Sequence, residues 1–317
     1  MTAKPASPEQ SGKRWRSVAG LVLGLLLLGG AVWLLASPER DLSDSWSAIR
    51  SASPWLITAV LVLPLLNVLA TAGTFHALTR RYGRVGFGEM IGLITAARLL
   101  NYLPLRPGLV GRVAYHKRVN GIRVTDSARV IVESIVLSIV GLAMLAVAAI
   151  AIPTAGLWVL AVPVALAVSV AFVGRRLTTG ARWPWLAWAA AWRYADMLVW
   201  ALRYAAVFAV QGEQLEPVHA AGLAVVSQVA LLVPIAGNGL GIREWAVGWA
   251  SAWLGAAGAS KSVAAVSSAG LLGDVINRSA ELVLAVPLGL IAVAWAARRV
   301  RKSGTADNPQ ESTGYEA

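Results

Sequence analysis

The chain has no cysteine, so disulfides, thiolate metal sites and thiol nucleophiles are excluded. Its 3 histidines, His76, His116 and His219, are scattered without metal-ligand spacing. Acidic residues are scarce, 16 against 28 lysines and arginines, and they do not gather on loops as metal-dependent glycosyl transfer would require. No Gly-Lys-Ser/Thr phosphate loop occurs, and Gly237-Asn-Gly-Leu-Gly241 lacks the strand and helix that would make it a nucleotide fingerprint. No nucleophile–base arrangement stands out, so no catalytic residue, metal or cofactor is predicted. Polar segments are also short. Residues 1–16 read as a cytoplasmic N-terminal tail and 303–317 as a disordered cytoplasmic C-terminal tail, leaving no stretch for a soluble domain with its own core.

What the chain has is apolar length. Hydrophobic residues make up 57% of it and the mean hydropathy is +0.64. Several long runs with few charges are of the kind that cross a bilayer as helices. The sequence predicts spans over Ser17–Ala36, Pro54–Leu78, Ala128–Ile152, Gly156–Gly174, Trp183–Val210 and Gly270–Ala297. The segment Ser37–Ser53 between the first two reads as an acidic loop. With this layout 21 of the 28 basic residues fall on one side, before the first span, from Arg80 to Arg129, from Arg175 to Arg182 and after Trp295. The positive-inside rule makes that side cytoplasmic and puts both termini there. The net charge of +12 is read the same way, as basic loops beside anionic lipid rather than a nucleic-acid surface.

Two shorter segments repeat one plan. Ala97 to Arg112 and Val229 to Glu244 are each an apolar run broken by proline, then a glycine-rich turn, then an arginine. Pro104, Gly108 and Arg112 match Pro234, Gly239 and Arg243, and Pro107 and Gly241 add further breaks. Such runs are too short to cross a core of ~30 Å. Interrupted apolar segments at matching places in two halves point to a transporter-type site. The expected fold is therefore all-α and polytopic, with about six transmembrane helices and two re-entrant hairpins, near 89–107 and 222–239. It divides into two inverted-topology repeats, 17–152 and 153–302. Trp245, Trp249 and Trp253 follow the second hairpin at helical spacing, as an interfacial stripe or as packing.

Charges inside lipid are costly and face a bundle interior or a wet cavity. Arg129 and Glu133 are spaced to pair, as are Arg193 and Asp196, with Arg203 further along the same span. Asp274, Arg278 and Glu281 form a ladder beside Asn277. These are read as intramembrane ion pairs or gating groups. Arg98, Arg106 and Arg112 have no acid between Glu89 and Asp126. Beside Gly108, and opposite Gly239, Gly241, Arg243 and Glu244 of the second hairpin, they are read as a lipid-headgroup site. Backbone N–H groups and bidentate guanidinium suit a phosphate.

Leu103-Pro-Leu-Arg-Pro-Gly108 with Gly111-Arg112, the segment Gly121–Glu133, Pro234–Glu244 and Asn277-Arg278 resemble the lysylphosphatidylglycerol synthase transmembrane region, a flippase-like family. The resemblance runs over roughly 15–300 and includes hopanoid-associated and archaeal glycolipid-associated relatives. It implies the lipid-translocating portion alone, since the chain stops at Ala317 without the aminoacyl-transfer domain of full-length synthases. One departure is Ser134 after Glu133, where the family often has arginine.

The leading expectation is a multi-pass protein of the bacterial cytoplasmic (inner) membrane that binds and translocates an anionic phospholipid, polyprenyl-linked or hopanoid-type lipid. The alternatives are a membrane enzyme using Glu133, Asp196 or Asp274 as acid or base, and an accessory subunit in lipid or lipid-linked glycan modification. The partners that fit are membrane lipids, a lipid-modifying enzyme and a second copy of the chain, without nucleic acid.

Overall fold

The computed structural model describes residues 22, 26–30, 33, 43–103, 107–178, 181, 183–232, 239–255 and 263–306. Pro104, Arg106 and Pro234, and most of the first expected span, lie outside the described residues. Among the described residues the regular elements are all helices, without a strand.

The helices are α1 (Ser43–Ser51), α2 (Pro54–Thr79), α3 (Phe87–Leu100), α4 (Pro107–Val119), α5 (Val124–Ala155), α6 (Val162–Leu177), α7 (Trp183–Val210), α8 (Pro217–Leu232), α9 (Ile242–Leu254) and α10 (Val263–Ala306). A short 3-10 turn, Leu157–Leu160, leads into α6. Helix α2 begins at Pro54, whose missing N–H costs nothing at a helix start, and Ser53 Oγ accepts the Leu56 N–H at 3.4 Å. Pro107 opens α4 in the same way.

Burial is inverted relative to a water-soluble protein. Val132, Val147 and Ile150 of α5, and Val283 and Ile291 of α10, are exposed. Arg203, Arg243, Glu244 and Asp274 are buried to within 1%. Apolar surface outside and paired charge inside is what a hydrocarbon solvent selects. Helices α2, α5 and residues Val266–Ser303 of α10 are long and apolar enough to cross a membrane. Helix α7 is as long, 28 residues, but carries Arg193, Asp196 and Arg203.

Both broken segments are antiparallel helix pairs. In the first, Gly108 at the start of α4 lies so close to the end of α3 that a Cβ would stand 2.4 Å from the Ala97 carbonyl oxygen. At the other end Tyr115 Oη donates to Glu89 Oε1 at 2.8 Å. In the second, Gly239 abuts Leu231, and Gly222 abuts Leu254. Gly239 and Gly241 have φ of +65° and +79°, left-handed backbone that glycine adopts without a Cβ penalty. The arms are 13 to 16 residues long. At 1.5 Å per residue that is about 20–24 Å, less than the hydrocarbon core.

Helix α10, 44 residues long, touches both hairpins in sequence. Gly270 approaches Ser251 and Leu271 approaches Gly248 on α9; Arg243 at the tip of that hairpin reaches Asp274 and Glu281. Tyr102, at the tip of the first hairpin, also bonds Glu281. Farther along, Gly289 meets Leu99, Trp295 meets Gly92, and Arg299 lies 3.8 Å from Glu89 at the hairpin's base. The hairpins thus lie against opposite ends of one continuous helix and meet tip to tip near Glu281. From Ser267 to Arg299 the axis is about 48 Å long, comparable to a whole bilayer.

Several boundaries differ from those read in the sequence. The second arms of the hairpins continue to Val119 and Leu254, past the expected ends at 107 and 239. Val119 is beyond a basic stretch, and Leu254 beyond the tryptophan stripe, both of which read locally as surface. The last span extends to Val263 and Ala306. The supposed acidic loop contains α1, where Ile49 packs against a cluster that includes Val60 and Val207.

Candidate functional site

Where the hairpin tips meet α7 and α10, four arginines and four carboxylates interlock. Arg203 Nη1 donates to Glu281 Oε1 at 2.8 Å and Asn67 Oδ1 at 2.9 Å, and its Nε donates to Asn277 Oδ1 at 2.9 Å. Arg243 Nε donates to Asp274 Oδ2 at 2.8 Å, and Nη1 to Glu281 Oε2 at 3.5 Å. Arg278 pairs with Glu244. Arg193 Nη1 donates to Asp196 Oδ2 at 2.8 Å, and Asn67 Nδ2 to Asp196 Oδ1 at 2.8 Å. Tyr204 Oη donates to Asp274 Oδ1 at 2.7 Å, so both oxygens of that acid are engaged. The Trp200 ring lies 4.0 Å from Arg203 Cζ and 5.3 Å from Arg243 Cζ, a cation–π contact shared by two arginines. Neutral as a set, this network satisfies charges that would otherwise be prohibitive to bury.

A cavity of about 800 Å³ adjoins the network. One end is polar, lined by Arg98, Arg193, Gln228 and Arg243 together with Asn101 and Glu281. Farther along α3 and α10, away from Glu281, the wall is aliphatic, with Ile91 of α3 and Leu284, Leu288 and Ile291 of α10; Leu65 and Leu69 of α2 also line the cavity. Arg98 makes one hydrogen bond, to Thr71 Oγ1 at 3.5 Å, and has no carboxylate partner among the described residues. Arg193 Nε, Arg243 Nη2 and Gln228 Nε2 are buried without a hydrogen-bond partner among the described residues. The polar end therefore carries one positive charge beyond the neutral network, with unused N–H groups around it.

The residues singled out in the sequence are distributed as follows. Arg98 and Arg243, on different hairpins, come together at the cavity, with Arg193, Asp196 and Glu281 also in its wall. Arg112 and Gly108 do not; they lie on the far side of α3 in a smaller cavity. Gly239 accepts from Arg278 Nη2 through its carbonyl at 3.4 Å, and Gly241 caps α9. Asp274, Arg278 and Glu281 share a face of α10 but bond across to Arg243, Glu244 and Arg203 rather than to one another.

The expected Arg129–Glu133 pair does not form. Arg129, its side chain 68% exposed, lies 3.6 Å from Asp126, and Glu133 pairs instead with Arg81 in the turn after α2. The spacing allowed an intrahelical pair, but the end of α2 places a less exposed cation against the same carboxylate. Sequence reasoning also missed Tyr102, Trp200, Tyr204 and Gln228 as site residues. Gln228 was detectable, being an amide inside an otherwise apolar hairpin arm. Tyr204 and Trp200 look like ordinary aromatic core residues until their neighbours are known. No three His, Asp or Glu side chains among the described residues group as metal ligands.

Comparison with known families gives a match over most of the chain. Residues 21–272 fit the model of the lysylphosphatidylglycerol synthase TM region. No curated protein and no solved structure matches the chain. The family match covers most of the helical region, hairpins included, and agrees with the exposed apolar helices and the buried charge. The chain belongs to the lysylphosphatidylglycerol synthase TM region family, and is a multi-pass integral membrane protein related to lipid handling.

Proposed function

We propose that this protein binds an anionic lipid and carries it between leaflets. The observation that supports this most directly is the cavity with Arg98 and unpaired N–H groups at one end and aliphatic walls at the other. A phosphate-bearing headgroup would supply the charge that Arg98 lacks and accept from Arg193 Nε, Arg243 Nη2 and Gln228 Nε2. Charge-assisted bonds of this kind are the strong ones. The chains would lie against Leu65, Ile91 and Leu288.

The hairpins are read as re-entrant, entering from opposite leaflets in inverted repeats, because they lie against opposite ends of α10 and neither arm is long enough to cross. Arg98 belongs to one hairpin and Arg243 to the other, so a headgroup between them is held by both. Tilting either hairpin on α10 would open the site toward its own leaflet. The basic-residue distribution supports a reading in which the termini and the first hairpin's base face the cytoplasm across a bacterial inner membrane.

The test is transport in liposomes containing the purified protein, with a fluorescent anionic lipid in both leaflets and a reductant added outside. Protein should make the inner-leaflet label accessible faster than in empty vesicles, and Arg98→Gln should slow it. Equal rates with and without protein would remove the transport reading.

A further inference from the structure

We infer that Arg112 forms a second, separate binding site for a lipid phosphate, on the face of α3 away from the main cavity. Arg112 is 5% exposed, yet among the described residues no carboxylate pairs with it and its Nη2 has no hydrogen-bond partner. Its guanidinium carbon lies 3.7 Å from the centre of the Phe75 ring, so one face of the group is covered by α2 and its edge is left for a ligand. That side chain lines a cavity of about 210 Å³ between α3, α4 and α10.

The nearest acid in the hairpin, Glu89, is already taken by Tyr115 Oη at 2.8 Å, Asn120 Nδ2 at 3.1 Å and Arg299 at 3.8 Å. A buried cation without a counter-charge among the described residues is expensive, and an anion of the surroundings would supply one. The rest of the wall selects the anion. Leu93, Leu100, Val293 and Val300 are aliphatic, and Ala96 and Ala97 add only methyl groups. A strongly hydrated free phosphate would lose its water there without replacement. A phosphodiester attached to acyl chains brings its own apolar surface, and a planar guanidinium edge matches two of its oxygens. A zwitterionic headgroup would bring an ammonium for which this cavity has no carboxylate.

The site is distinct from the main cavity. Ala96 and Ala97 of α3 face the smaller space, while Thr95 and Arg98 of the same helix face the larger one. Its upper end reaches Val300, within the basic run Arg298, Arg299 and Arg301, where anionic lipid accumulates.

The absence of native cysteine allows a clean test. Gly111 lines this cavity, and a Cβ there would have nothing within 4 Å, so Gly111→Cys introduces a unique thiol without a clash. Maleimide labelling of that thiol in detergent should be slowed by added phosphatidylglycerol, and not by phosphatidylcholine or inorganic phosphate. Adding Arg112→Gln should weaken the protection about tenfold or more in lipid concentration, the loss expected for a charged hydrogen bond. Labelling that ignores phosphatidylglycerol overturns the site, and so does protection by phosphatidylcholine or inorganic phosphate as strong as that by phosphatidylglycerol. Should the double variant fail to fold, the lipid dependence of Gly111→Cys alone still decides. Arg98→Gln should leave this protection intact, so loss of the transport reading and loss of this one are separate results.

Discussion

Removing one member of the Arg243–Asp274 pair should destabilise the protein far more than removing both. Each is fully buried, their atoms are 2.8 Å apart, and Asp274 is further held by Tyr204. Asp274→Leu leaves Arg243 with the 3.5 Å contact to Glu281 as its carboxylate contact among the described residues, and the network changes from neutral to positive. Breaking a buried pair from one side costs about 3–5 kcal/mol. Arg243→Met together with Asp274→Leu leaves Arg203–Glu281, Arg193–Asp196 and Arg278–Glu244 intact, so every remaining charge of the network keeps its partner. The double variant should therefore recover most of the loss, as apolar replacements of buried pairs commonly do. At roughly 2 °C per kcal/mol, the low end for large domains, the single variants fall by about 6–10 °C and the double by much less. Thermal unfolding in detergent, followed by size-exclusion fluorescence, reads these shifts across all four proteins of the cycle. Single effects that add in the double to within about 0.5 kcal/mol would refute the coupling. The double variant should still transport poorly, since Arg243 Nη2 is lost from the cavity.

Arg98→Gln should change stability by less than about 1 kcal/mol, because the side chain is half-buried with one long hydrogen bond, while lowering retention of anionic lipid about tenfold; lipid-resolved native mass spectrometry measures it. Arg129→Ala should be neutral within about 0.5 kcal/mol, and Glu133→Ala should cost more because the less exposed Arg81 loses this carboxylate; equal melting shifts would restore the Arg129–Glu133 pairing. Gly73→Ala should cost about 1–3 kcal/mol, since its Cβ would stand 2.3 Å from the Trp192 ring where α2 crosses α7; an unchanged melting temperature would contradict that packing.

Local signals located the helices well and the hairpins less so. Residues 183–210 form one helix with the bounds that their apolar run indicates, in spite of three internal charges. The second arms are not legible in full because a basic segment after Pro107 and a tryptophan stripe after Gly241 both resemble interface, and only their packing on α3, α8 and α10 makes them arms. Arg193 and Asp196 are one helical turn apart, so their pairing was readable from spacing alone. Arg203, Arg243 and Arg278 were visible as intramembrane charges, but each finds its carboxylate on another helix, 31 to 78 residues away for the bonds of Arg203 and Arg243.

The sequence by itself determined that this chain lives in a membrane, because no arrangement of its apolar runs could be kept out of lipid. It also determined that charge would be buried there, since arginine and acid recur within those runs. Which charges pair, and which arginines are left over, was decided by the tertiary structure. Arg98, Arg106 and Arg112 look equivalent along the chain, yet α3 separates Arg98 from Arg112. One faces a large cavity shared with Arg243, and the other a small apolar one behind Phe75. That difference arises from helix packing, where a side chain's surroundings depend on the neighbouring helix it faces rather than on its neighbours in sequence.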